Sequence, residues 1–307
     1  MKDFVYYGED GYLDLLQDIL LFGVDVKNER TGHVCKTIFD AKFIIPEGEH
    51  FVVTHRPLPM RLAFEEFMFF LRGETETKKL EEKGCNFWRG NTTREFLDRR
   101  GLSHLPEGNL GHAYSMQWRN AGGNWDVRSD YDKLDSSGID QLRRLIGGLR
   151  ADPTGRRHIV TLWNPVQEHL MPLTPCWHTS QYVVLPNDQG NLTLHVKLIN
   201  RSLDVTFGML FAIQQYRLFQ MMLCKMLGFA LGALSADITN AHIYDNQFEY
   251  VDEILDRSAL NVKANISINK DLQSLDDLLS LEWKDIIISG HEVDKTPFKT
   301  PRPPMVA

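Results

Sequence analysis

The run Leu192-Thr193-Leu194-His195-Val196-Lys197-Leu198-Ile199 alternates, with Leu192, Leu194, Val196 and Leu198 on one face and Thr193, His195 and Lys197 on the other. Successive strand residues point to opposite sides of a sheet, so this is a strand covered on one face. Such strands belong to antiparallel or mixed sheets, because a strand inside a purely parallel sheet is apolar on both faces. Further on the period changes. The stretch from Phe211 to Phe229, with its stop at Gly228, reads as a long helix apolar enough to be the centre of a core. A half-covered strand followed by a buried helix predicts a mixed α/β domain.

The polar cluster Asn200-Arg201-Ser202-Leu203-Asp204 lies between these two elements. About twenty residues upstream, Pro175-Cys176 opens the strand-like run Trp177-His178-Thr179-Ser180-Gln181-Tyr182-Val183-Val184. A thiol followed by a guanidinium, a hydroxyl and a carboxylate, each at the end of an apolar element, suggests a site for an anionic substrate. A thiolate forms at neutral pH when positive charge is near, and arginine stays charged while supplying it. The competing reading is a core cysteine, a common fate of free thiols. Beyond the helix, His242 and Tyr244 in Ala241-His242-Ile243-Tyr244-Asp245 share one face of an extended segment and can address one ligand.

Working outward, Tyr6 to Leu21 reads as a helix, Phe39 to Ile45 and His50 to Thr54 as short strands. The loop from Val26 to His33 carries Arg30 and Gly32, suited either to wrapping an anion or to a solvated surface. Leu62 to Leu71 forms an aromatic-rich helix closed by Arg72-Gly73. Glu65 and Glu66 inside it cannot face the same side, so one can point inward and the other outward, or both can be solvated. Trp88 offers a flat surface for a heterocycle or for packing. Thr92 and Glu95 have the spacing of a capping box. Gly138 to Leu149 shows an amphipathic stripe. Arg156-Arg157 opens the strand-like His158 to Trp163 as a phosphate clamp or a charged edge.

The 307 residues are 43% hydrophobic and 24% charged, with a formal net charge of -7, which gives no support to nonspecific nucleic-acid binding. Cys35, Cys85, Cys176 and Cys224 lack close spacing, which argues against a metal centre or disulfide framework and for a reducing cytoplasm. Lys2 and Asp3 stand where a signal peptide would need apolar residues, and charged and amide side chains interrupt the most apolar helix, so no membrane association is expected. We read a single domain over 1–307, with 251–307 as a C-terminal extension whose proline-rich end, Pro297 to Pro304, is a lid or surface strap rather than a helix.

Glu66 to Thr75, Tyr114 to Arg119, Arg156-Arg157, Trp163-Asn164-Pro165, Pro175-Cys176, Arg201 to Asp204 and His242 to Tyr244 together resemble the thymidylate synthase superfamily, in order and spacing, over nearly the whole chain. The resemblance implies a large twisted, largely antiparallel or mixed sheet with helices packed on it. It also implies one-carbon transfer from 5,10-methylenetetrahydrofolate, without a metal, to C5 of a pyrimidine deoxynucleoside monophosphate. By this resemblance Cys176 is the nucleophile at C6, Glu66 the proton-handling carboxylate, and Tyr114 and Asn200 lie at the catalytic centre. Arg30, Arg201 and Ser202 hold the phosphate, joined by Arg156 and Arg157 from the second subunit of a homodimer. His242 and Tyr244 mark the sugar, Asp204 the substrate and pterin, and Trp88 the cofactor.

Departures from the family pattern are Trp177 in place of histidine after the cysteine, Asn200 in place of glutamine, and Ala212 in place of the asparagine that reads the base. Ala212 leaves the base edge without its usual partner, so Gln214, Gln215 or ordered water must take over, or the base sits differently. On that loss the resemblance points first to a hydroxymethylase of viral, phage-like kind acting on dUMP or dCMP. The alternatives are a thymidylate synthase making dTMP and dihydrofolate, and a non-catalytic nucleotide-binding relative.

Overall fold

A computed structural model describes residues 4–29, 31–124, 137–260, 262–304 and 306. Its strands are β1 (Phe4–Tyr7), β2 (Val24–Lys27), β3 (Val34–Ile45), β4 (Ile159–Thr161), β5 (Trp177–Pro186), β6 (Leu192–Asn200), β7 (Leu203–Asp204), β8 (Ala230–Tyr244), β9 (Asn265–Ile268) and β10 (Ile286–Ser289). The helices are α1 (Gly8–Phe22), α2 (Met60–Arg72), α3 (Lys78–Glu81), α4 (Arg94–Arg99), α5 (Tyr114–Arg119), α6 (Gln141–Ala151), α7 (Gly208–Leu227), α8 (Phe248–Leu255) and α9 (Leu275–Leu279).

Among the described residues the main sheet runs β1-β3-β8-β6-β5-β4, with β2 added to β3 and β7 to β8. Strand β6 pairs antiparallel with β5 and parallel with β8, so the sheet is mixed, as its alternation predicts. Leu194, Val196 and Leu198 are buried with Tyr182, Val184, Leu234, Ala236 and Ile238 from the neighbouring strands. His195, Lys197 and Ile199 lie on the other, partly open face, where Lys197 forms an ion pair with Asp237 of β8.

Helix α7 covers the buried face. Seventeen of its twenty residues are buried, so it is wrapped all round, and Gly228 closes it in the left-handed conformation at φ 74°. Arg217 on this helix donates to the carbonyls of Pro46, Glu49 and Gly232, satisfying chain turns that water does not reach. Helix α2 packs on α7, and Gly73 ends it at φ 76°, as the Arg72-Gly73 signal indicates. Phe67 of α2 joins the two helices to α5 through ring contacts with Tyr216, Phe219 and Trp118 at 5.2, 5.5 and 6.1 Å.

Two local expectations need correction. Residues 50–54 form no strand, because the backbone N–H groups of Thr54 and His55 donate to the Glu9 carboxylate of α1 and the Thr54 carbonyl accepts from Asp294. The cap of α4 is Thr93, whose hydroxyl accepts the Phe96 N–H, while Thr92 donates back to the Trp88 carbonyl. The stretch from 251 onward begins inside α8. The proline-rich end, 297–304, runs without helix or strand. Its Lys299 and Thr300 N–H groups bind the Glu253 carboxylate, Phe298 stacks on Tyr250, and Arg302 lies 4.9 Å from the ring centre of Phe207.

Candidate active site

Two cavities meet at Ser202. The first, about 230 Å³, is walled by aromatic and apolar groups of α2, α5 and α7 and contains Glu66, Trp88, Tyr114, Cys176, Ser202, Asp204, Ala212 and Gln215. The second, about 370 Å³ and polar, is bounded by Lys27, Asn28, Arg201, Ser202, His242 and Tyr244. Residues distant in sequence thus share one cleft because strand ends and the α7 N-terminal region converge there.

Cys176 is partly exposed, immediately before β5. Its backbone is held on both sides: the Tyr114 hydroxyl accepts its N–H at 2.8 Å, and its carbonyl accepts the Arg201 N–H at 3.0 Å. Tyr114 is itself fixed by stacking on Phe70, with ring centres 5.0 Å apart. The Arg201 guanidinium donates through Nε to the Pro175 carbonyl and through Nη2 to Thr174. Arg201 therefore straps the turn that carries the cysteine while lining the polar cavity.

The adjacent carboxylates of α2 separate. Glu65 pairs with Lys83 at 2.6 Å, whereas Glu66 faces the first cavity. Trp88 donates its indole N–H to one Glu66 oxygen at 2.7 Å and Gln215 donates its amide N–H to the other at 2.6 Å. Burial dominates those two donors and pushes the Glu66 carboxyl up to about 7, into the range of a group that exchanges protons at neutral pH. Asp204 accepts the N–H groups of Thr206 and Phe207 and the Gln247 amide, yet burial raises it to about 6. His242 is lowered to about 4 by burial, so it is neutral at physiological pH, with Nδ1 2.8 Å from Asn240 Oδ1 and its ring 5.0 Å from Tyr244.

The remaining predicted residues fall elsewhere. Asn200 is fully buried on β6 opposite the cavity residue Trp177, lines neither cavity itself, and has no hydrogen-bond partner for its side-chain amide among the described residues. Arg156 and Arg157 are exposed ahead of β4 and line neither cavity of their own chain. Arg30 lies outside the described residues.

Trp177 takes a cavity position because β5 carries a bulge. Trp177 pairs with Asn200 and Thr179 with Ile199, which makes His178 the extra residue. Trp177 thereby joins Ser180 and Tyr182 on the buried face, and His178 turns toward Trp163, 6.3 Å between rings. Sequence reading missed the Trp88 bond to Glu66 and the Gln247 bond to Asp204; neither has a local signal, since each joins elements remote in the chain.

A family model described as thymidylate synthase matches residues 10–300. The chain is 32% identical over 290 residues to the thymidylate synthase of Agaricus bisporus, covering 93% of this chain and 96% of that one. It is 35% identical over 246 residues to the thymidylate synthase of Homo sapiens, covering 79% and 75%. It is also 35% identical over 267 residues to a bifunctional dihydrofolate reductase-thymidylate synthase of Paramecium tetraurelia, covering 85% of this chain but 56% of that protein's length.

Proposed function

The chain belongs to the thymidylate synthase family, and from that footing we propose that it transfers a one-carbon unit from 5,10-methylenetetrahydrofolate to C5 of dUMP, yielding dTMP and dihydrofolate. The observation that carries the reading is the shared cleft: Cys176 and Glu66 on one apolar cavity, joined at Ser202 to a polar one that Arg201 lines. These relatives support a thymidylate synthase better than the viral hydroxymethylase expected from Ala212, and nothing in them favours a phage origin.

The Cys176 thiolate adds to C6 of the pyrimidine, and the displaced electron pair makes C5 nucleophilic. Arg201 stabilises the thiolate and faces the cavity suited to a phosphate. Glu66, held by Trp88 and Gln215, exchanges a proton with the base. Once C5 has taken the carbon it gives up its proton to a base, and when the thiolate leaves, the C5=C6 bond is restored. The folate supplies the carbon and, for a methyl product, the hydride. Phe87, Trp88, Phe207 and Phe211 offer it flat apolar walls, and Asp204 a hydrogen-bonding group. Arg156 and Arg157, whose exposed side chains line neither cavity of their own chain, are assigned to the phosphate site of a second subunit.

The test is product analysis by mass spectrometry with dUMP or dCMP and the folate, following dihydrofolate absorbance. Methylated dUMP with dihydrofolate supports the proposal; a hydroxymethyl product without dihydrofolate replaces it. Cys176→Ser is expected to lower turnover by on the order of 10³-fold or more while retaining nucleotide binding; undiminished turnover would overturn the nucleophile assignment.

A further inference from the structure

Ala212 and Gln215 both line the first cavity, and residues three apart share a helix face, so both belong to the α7 surface presented to the ligand. Ala212 contributes a methyl group. A pyrimidine attacked at C6 in an apolar cavity still has ring and exocyclic polar atoms to satisfy, and burying them unpaired is costly. Gln214, the other carboxamide at this point of the helix, is fully buried off the cavity wall. Several polar groups on the wall are already committed: the Tyr114 hydroxyl accepts from Cys176, and both Asp204 oxygens accept hydrogen bonds. Asn91 Nδ2, buried without a partner among the described residues, is a donor and cannot accept from a ring N–H.

Gln215 differs in being half-committed. Its Nε2 donates to Glu66 Oε2 at 2.6 Å, and among the described residues its Oε1 accepts nothing. An ionised carboxylate is acceptor-only, so the bond to Glu66 fixes which end of the amide turns away from it. The end left for a ligand is an acceptor.

We propose that Gln215 determines base specificity, its Oε1 accepting the N3–H of a uracil ring in the cavity bounded by Cys176 and Ala212. The inference rests on the nucleotide reading above and adds the residue that identifies the base. Cytosine carries a lone pair at N3, which an oxygen acceptor repels.

The experiment is equilibrium binding of dUMP and N3-methyl-dUMP to the full-length Cys176→Ser protein, with and without Gln215→Leu or Gln215→Met. N3-methylation is expected to weaken binding about 10-fold when Gln215 is present, the loss of one buried hydrogen bond. In either Gln215 variant that penalty should disappear, because the acceptor is gone. A merely structural Gln215 would weaken both nucleotides equally and leave the penalty intact, overturning the inference. So would equal binding of the two nucleotides in the presence of Gln215, a comparison that needs no substitution at that position. Loss of the penalty on Tyr216→Phe alone would move the role to Tyr216, another cavity residue. If dUMP itself does not bind, the functional reading fails and this inference with it; if dUMP binds but the penalty persists without Gln215, the inference alone fails.

Discussion

Glu66 is held by two N–H donors and still has its carboxyl raised to about 7, because burial outweighs them. An unfolded glutamate ionises near 4.5, so the folded protein binds an extra proton between that value and about 7. Its contribution to stability is therefore present below the unfolded value and lost as pH rises through the folded one. The site costs up to about 3 kcal/mol above neutrality. Glu66→Gln carries no charge to desolvate. Urea unfolding at pH 5 and pH 8 is expected to show the variant gaining stability relative to the parent as pH rises, with turnover reduced by about 10²-fold. A stability difference independent of pH would contradict the raised carboxyl. Cys176 shows a second feature of the residue scale. Its position comes from its backbone, clamped by Tyr114 and Arg201, so one arginine both holds the chain turn and lines the polar cavity.

At the scale of elements, α7 combines the densest burial in the chain with four buried polar side chains, Gln214, Gln215, Arg217 and Gln220. In sequence those residues argue against a membrane span, and no helix among the described residues is long and apolar enough to cross one. In the structure, Arg217 and Gln220 bind backbone carbonyls of the turns and strands around the helix. Arg217→Met keeps much of the apolar stem but leaves those carbonyls without donors. It is expected to lower unfolding stability by about 3 kcal/mol, measured by urea denaturation, with base preference unchanged. Strand β5 makes a different point. One extra residue, His178, moves Trp177 from the sheet's open side into the cavity. Alternation alone could not place it, since a bulge is a property of the pairing of two strands.

At the scale of the whole molecule, the face of β5, β6 and β8 turned away from α7 is only partly covered, and Arg156 and Arg157 stand exposed outside their own chain's cavities. If a second subunit supplies these arginines, Cys176→Ser and the Arg156→Ala/Arg157→Ala double variant fail in different subunits. Mixing the two after dissociation and reassociation is expected to restore about a quarter of the parental activity, one competent site in each mixed dimer. No recovery would show that each chain builds its site alone. The sequence determined by itself the mixed sheet, the central helix with its glycine stop and the polar residues of the cleft that sit in compact motifs, among them Glu66, Cys176, Arg201, Ser202, Asp204 and His242. Each is announced by a local period, a cap or a compact motif. Tertiary structure alone decided that Glu66 is bound by Trp88 and Gln215, that Asn200 is buried opposite Trp177, and that Trp177 rather than His178 lines the cavity. These outcomes depend on contacts between elements far apart in the chain and on the register of one strand against another, which no local pattern encodes.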